Sequence, residues 1–126
     1  MGLIGFNYPS YEIALLSHQT GLSATIATAN AYQNIGTSIT IPKMGIMDIT
    51  AITYQNGAGA NGYIQYSITR GSNTYYSSPI SFTNTTDIIV VFANISVLTN
   101  DIIQISVTDS NAGDVVYIDD VLVLLQ

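Results

Sequence analysis

The chain contains no cysteine and no tryptophan, a single histidine (His18), a single glutamate (Glu12) and only two basic residues, Lys43 and Arg70. Without thiols there is no disulfide, thiolate ligand or thiolate nucleophile, so packing and hydrogen bonding alone must hold the fold. Two dispersed cations cannot neutralise a row of phosphates, which sets aside nucleic acid and anionic membrane surfaces as partners. A zinc site needs three or four His, Cys or carboxylate ligands, a supply this sequence does not offer. A Ser/His/Asp arrangement would depend on His18, near the start of the chain, and no glycine loop opens a helix to cradle phosphate. Catalysis is therefore not expected. The longest apolar run falls far below the roughly 18 residues of a membrane span, so membrane insertion is not expected either.

What the chain does have is uncharged polarity. Charged residues make up 8% of its 126 residues, against roughly 25% in an average domain, and Ser, Thr, Asn, Gln and Tyr take their place. Such a surface changes little when its few carboxylates protonate, which suits an extracellular or virion-surface setting with variable acidity. The apolar share of 48% excludes disorder, and the length fits one domain with one core.

Beyond residue 21, β-branched and aromatic residues recur in short runs between Gly, Asn, Asp and Pro clusters, with no sustained helical period. Eight strands are predicted, over residues 23–31, 37–41, 46–54, 63–70, 74–82, 87–97, 101–108 and 115–124. In "DIIQISVTD", Ile103, Ile105 and Val107 share one face, and Gln104, Ser106 and Thr108 share a wet one. "YIQYSITR" likewise groups Ile64, Tyr66 and Ile68 against Tyr63, Gln65, Ser67 and Thr69, while "DIIVVF" is apolar on both faces and suits a central strand. "QNGAGANG", "RGSN", "LTND" and "DSNAGD" read as hairpin-scale connections. The pattern predicts an all-β, two-sheet antiparallel β-sandwich of jelly-roll type over residues 22–126, preceded by an N-terminal extension over 1–21.

In the opening "GLIGFNYPSYEIALL", Ile4, Phe6 and Tyr8 fall on one side of an extended chain, and Ile13, Leu15 and Leu16 form a second apolar cluster. One reading makes this segment the first strand of its own sandwich, or a short helix from Tyr11 to Ser17 capped by Ser10. The other is strand donation: the tail completes a sheet in a neighbouring copy through a polar hinge at Ser17–Gly21, and head-to-tail contacts of that kind build a homopolymer.

Two adjacent carboxylates in "VYIDDVLVLL" break the alternation, which sends one of Asp119 and Asp120 to the core face in either register. Either a β-bulge turns both outward, or a buried carboxylate helps hold Ca²⁺ with backbone carbonyls and Asp114 or Asp48. Nine Tyr against three Phe is a surface-like aromatic choice, and Tyr63, Tyr75 and Tyr76 are the candidates for stacking on a glycan or receptor. "NTT" at Asn84 and "NIS" at Asn94 are glycosylation acceptors.

The stretch Tyr117 to Leu122 resembles the closing strand of carbohydrate-binding jelly-roll modules. That resemblance implies a structural calcium on Asp119 or Asp120, but there is no Trp for sugar stacking. Taken as a whole, with few charges, much Ile, Thr, Asn and Tyr, and strands such as "FANISVLTNDIIQISV", the chain resembles the small all-β structural proteins of hot-spring archaeal viruses and archaeal adhesive filament subunits. The Asn-Gly pairs at Asn56 and Asn61 are chemically labile and run against a hot habitat. This likeness implies a virion fibre or filament subunit whose partners are copies of itself, other virion proteins, or a host-surface glycan or receptor. A jelly-roll capsid or turret protein and a glycan-binding module are the alternatives.

Overall fold

In the computed structural model, which describes residues 13–83 and 87–126, the chain is all-β. Ten strands run in the order β1 (Ala14–Thr25), β2 (Gln33–Asn34), β3 (Ile39–Thr40), β4 (Gly45–Gln55), β5 (Gly62–Arg70), β6 (Asn73–Tyr76), β7 (Ile80–Phe82), β8 (Ile88–Val97), β9 (Ile102–Asp109) and β10 (Val115–Leu125). They form a four-stranded sheet ordered β1-β10-β4-β8 and a six-stranded sheet ordered β2-β9-β5-β6, with β3 also on β9 and β7 also on β5. Every pairing is antiparallel. The two sheets close a jelly-roll sandwich over one core that includes Met47, Ile49, Ile64, Phe82, Ile103 and Ile118. Among the described residues no helix is long and apolar enough to cross a membrane.

Period-two alternation places most of these strands. In β4, Met47, Ile49 and Ala51 point inward, and β9 turns in Ile103, Ile105 and Val107 as their spacing predicts. The expected strand over 74–82 is split, because Pro79 has no N–H to donate and Ser77 takes over locally. The Ser77 N–H donates to the Tyr66 carbonyl at 2.9 Å, and its hydroxyl accepts the Tyr66 N–H at 3.0 Å. The strand expected over 23–31 ends at Thr25, and Asn30 then turns the chain at φ 61°.

Ser17–Gly21, expected as a hinge, lies inside β1, which pairs with β10 from Ala14↔Leu125 to Thr25↔Val115. Residues 14–17 are accordingly strand and not helix. Of the proposed donor positions, Ile4, Phe6 and Tyr8 lie outside the described residues, as does the rest of the extension before Ile13.

"DIIVVF" is not central: among the described residues β8 is an edge strand, and its outward Ile89 and Val91 are 68% and 52% exposed. Apolar residues on both faces report side-chain chemistry, whereas a central place depends on whether both backbone edges are paired.

Three register shifts interrupt the four-stranded sheet, one at Leu16 on β1 and two more, on β10 and β8, that set which residues those strands bury. Ile118 faces Thr53 and Asp120 faces Ile52, so β10 carries one residue more than β4 at Asp119. The buried positions accordingly switch from Val116 and Ile118 to Val121, Val123 and Leu125. β1 follows the same switch, because Thr20 opposes Asp120 and Leu22 opposes Ile118, leaving Gly21, at φ 63°, across from Asp119. On β8, Met47 faces Ile95 and Ile49 faces Phe92, which makes room for an extra residue at Asn94. Asn94 has φ 58°, and its N–H donates to Asp48 Oδ1 at 2.8 Å.

Candidate functional site

The outer face of the six-stranded sheet is the candidate site. Because Ile64, Ile103, Ile105 and Val107 point into the core, the alternate residues Tyr63, Gln65, Ser67, Thr69, Gln104, Ser106 and Thr108 point outward. Their registers form cross-strand rows: Tyr63 opposite Thr108 and Ser81, Gln65 opposite Ser106, and Ser67 opposite Gln104 and Tyr76. The centre is polar, uncharged and low-lying. Gln65, Ser67, Ser106 and Thr108 are all buried, so the expected wet face of β9 is largely covered. Ser106 and Thr108 are short and stand between longer cross-strand neighbours, which explains the difference.

Tyrosines stand around this floor. Tyr76 lies on the same side as Ser67 and is 67% exposed. Tyr63 is half-buried at the other end of β5. Tyr32 lies close enough to Tyr63 for their phenols to interact, and burial, then the Tyr63 charge, pushes the Tyr32 phenol above its ordinary pKa. Tyr75 opposes Ile68 and therefore points to the other side of the sheet. Of the three sequence-predicted tyrosines, Tyr63 and Tyr76 share a face and Tyr75 does not. Gln104 anchors the platform at one side by donating through Nε2 to the Ile35 and Ile105 carbonyls at 3.1 and 2.9 Å. Gln104 lies on the polar face that its spacing predicts, whereas Tyr32 has no signal in sequence, since its nearness to Tyr63 depends on strand order.

At the margin where β8 approaches the β6–β7 break, an open cleft of about 360 Å³ is lined by Tyr66, Ser77, Pro79, Ile80, Val91 and Phe92, among others. The Tyr66 and Phe92 rings meet edge-on at 5.1 Å and 84°, and burial pushes the Tyr66 phenol up.

The four-stranded sheet presents a different outer face. Asp119 and Asp120 both lie on it, at the bulge, with Asp119 exposed. His18 Nε2 contacts Asp120 Oδ1 in an ion-pair arrangement. Partial desolvation, then the neighbouring Asp87 carboxylate, pushes Asp119 above the usual carboxylate range. Tyr54 and Tyr117 stack beside them, with centroids 4.6 Å apart at 12°. Asp48 is occupied by the Asn94 N–H, and Asp114 lies at the β9–β10 connection, away from this face. Among the described residues no group of three or more His, Asp or Glu is placed to hold a metal ion. Ile13 and Leu15 are 61% and 58% exposed at the outer edge, while Leu16 packs partly against the core. Asn94 is exposed on its bulge, and Asn84 lies outside the described residues.

Arg70 and Asp101 form the one Arg–carboxylate pair among the described residues. Arg70 Nε and Nη2 donate to Oδ1 and Oδ2 at 2.9 and 2.7 Å, and the Leu98 N–H donates to Oδ2 at 2.8 Å. The guanidinium holds the Asp101 carboxyl below its usual range, although burial works against it. The pair ties the end of β5 to the β8–β9 turn.

No protein-family model matches the sequence, and no curated protein matches it. Solved structures do share the fold. A family-61 module, TmCBM61, solved in complex with β-1,4-galactotriose, is similar at a TM-score of 0.55 and 18% identity, over 75% of this chain and 63% of that one. The chain thus spans less than two thirds of that module. The CBM22-1 xylan-binding domain of Paenibacillus barcinonensis Xyn10C is similar at 0.59 and 11% identity, over 89% and 94% of the two chains. The xylan-binding module CBM15 is similar at 0.54 and 11%, over 90% and 96%. At these identities the likeness is one of fold.

Proposed function

We propose that this chain is a glycan-binding β-sandwich module of an extracellular or surface protein, and that it binds a neutral polysaccharide on the outer face of its six-stranded sheet. The observation that carries this reading is the row structure of that face: short uncharged polar side chains at the centre, with Tyr63 and Tyr76 standing on the same side. Tyrosine rings offer flat apolar surfaces to the C–H faces of sugars, and the phenol hydroxyls together with the partly exposed Thr69 and Gln104 supply donors and acceptors to sugar hydroxyls. The near absence of charge suits a neutral ligand. The fold shared with modules that bind xylan and galactotriose supports the same reading.

Isothermal titration against xylan and β-1,4-galactan tests it. Saturable binding that persists in 1 M salt, and that weakens in Tyr63→Ala and Tyr76→Ala, is the expected result. Absence of binding to a broad panel of plant, algal and microbial polysaccharides overturns it.

A second reading, a subunit that assembles with copies of itself, is supported by a different observation. Among the described residues β1 is an edge strand, with exposed Leu15 on it and exposed Ile13 just before it, and the opposite edge strand exposes Ile89 and Val91. A virion fibre or filament would be one such assembly. Light scattering decides: a mass that stays monomeric across concentration removes this reading.

A further inference from the structure

At the end of the sandwich where β4 leaves for β5 and β9 leaves for β10, two carboxylates face each other. Asp109, the last residue of β9, is fully buried, and its carboxyl lies close enough to that of Asp114 for the two to interact. Asp109 Oδ1 accepts the Asn111 N–H at 2.9 Å. Oδ2 of Asp109 and Oδ2 of Asp114 are both sealed from solvent, and neither receives a donor. Two buried, unpartnered carboxylates so close together are strongly unfavourable unless something positive lies between them.

No side chain described here supplies that charge. Arg70 is committed to Asp101 at the far end of β5, whereas Asp109 opposes Gly62 at its near end. Lys43 is exposed before the start of β4, and Asp114 packs on Gly57, just past its finish. The eleven residues of β4 lie between them, about 35 Å at ~3.3 Å per residue.

The backbone around the pair is tightly organised. The Ile26 N–H donates to the Asp114 carbonyl at 2.9 Å, the Gly113 N–H to the Ile26 carbonyl at 2.8 Å, and the Asn30 N–H to the Asp109 carbonyl at 2.8 Å. Buried Gln55 donates through Nε2 to the Gly57 and Ala60 carbonyls at 2.9 and 2.8 Å. A Cβ on Gly57 would fall 1.8 Å from Asp114 Oδ2, so only glycine lets the carboxylate come this close.

We propose that Asp109 and Asp114 together bind a hard divalent cation, of the calcium class, between their unpaired Oδ2 atoms. Carboxylate oxygens are the ligands such ions prefer. The ion neutralises the pair and ties three connections, 26–32, 56–61 and 110–114, into one rigid end. This site is separate from Asp119 and Asp120, and its test does not depend on glycan binding.

The experiment uses the full chain stripped with EDTA, then titrated with CaCl₂ and with MgCl₂ at pH 7, with binding read by calorimetry and the melting temperature in parallel. Saturable binding near one ion per chain, with a dissociation constant on the order of 10⁻⁴–10⁻³ M as in extracellular calcium modules and a raised melting temperature, is expected. Asp109→Asn and Asp114→Asn should each weaken it at least tenfold, while Asp119→Asn with Asp120→Asn leaves it unchanged. Asp114→Ser serves as a second variant should Asp109→Asn fail to fold. No saturable binding of either ion overturns the proposal, as does equal binding by the Asp114 variants. A melting temperature that ignores both ions but rises as the pH is lowered from 7 to 5 also overturns it, since the pair then shares a proton.

Discussion

Deleting Asp119 puts the bulge to a quantitative test. Without the extra residue, strict alternation runs the length of β10, and one of two groups must leave the core: Val121, Val123 and Leu125, or Val116 and Ile118. The second choice is the cheaper. Val116 and Ile118 are both 0% exposed, and returning each to water costs about 1.5–3 kcal/mol, hence about 3–6 kcal/mol for the two. Tyr117 would also turn inward and lose its stack with Tyr54. Against the roughly 5–15 kcal/mol that holds a whole domain, this is a large share. Asp119→Asn and Asp119→Ala keep the chain length at an exposed position and should stay within about 1 kcal/mol of the parent. Urea unfolding followed by far-UV circular dichroism measures all three variants. A deletion variant within about 1 kcal/mol of the parent would show that the bulge does not decide which residues are buried, and the argument would be wrong.

Tyr63→Ala and Tyr76→Ala should each weaken polysaccharide binding by about 0.5–1.5 kcal/mol, the scale of an aromatic contact. Tyr75→Ala, on the other side of the sheet, should leave the titration curve unchanged. Asn94→Gly should be close to neutral, and Asn94→Val should destabilise by about 1–3 kcal/mol, because φ 58° is strained for a β-branched residue; thermal unfolding compares the two. Asp101 has a folded pKa below its unfolded value, so its contribution is complete above about pH 4 and disappears as the pH falls through the lowered folded value. Asp109 is shifted upward, so in the metal-free chain it adds stability as the pH falls through its folded value toward about 4. Urea midpoints measured from pH 3 to 7 should lose the acid-side decline in Arg70→Met and lose the gain in Asp109→Asn.

Much of the fold could be read from apolar spacing, since a half-buried strand records its orientation every second residue. β4, β5, β9 and β10 were found within a residue or two for that reason. The pattern also identified Asp119 and Asp120 as a break in alternation and allowed for a bulge. Alternation does not reveal which backbone edges are paired. "DIIVVF" therefore looked central although it forms an edge, and Ser17–Gly21 looked like a hinge although it continues a strand. For the candidate site, tyrosine content suggested a platform, but only the registers Ser67↔Tyr76 and Ile68↔Tyr75 separate the tyrosine that shares the polar face from its neighbour. The Asp109–Asp114 pair brackets "DSNAGD", which reads in sequence only as a connection, because the burial of its two carboxylates depends on three connections converging there.

The order β1-β10-β4-β8 has a consequence for how the protein is made. β10 lies between β1 and β4, so until residues 115–125 have cleared the ribosome β1 lacks its partner among the described strands and β4 has only β8. Throughout synthesis the nascent chain carries two unsatisfied strand edges that fit each other's missing neighbour, and which also fit those of another nascent copy. Cell-free translation stalled before Val115 should yield a protease-sensitive chain, and release of the following eleven residues should convert it to a resistant one in a single step.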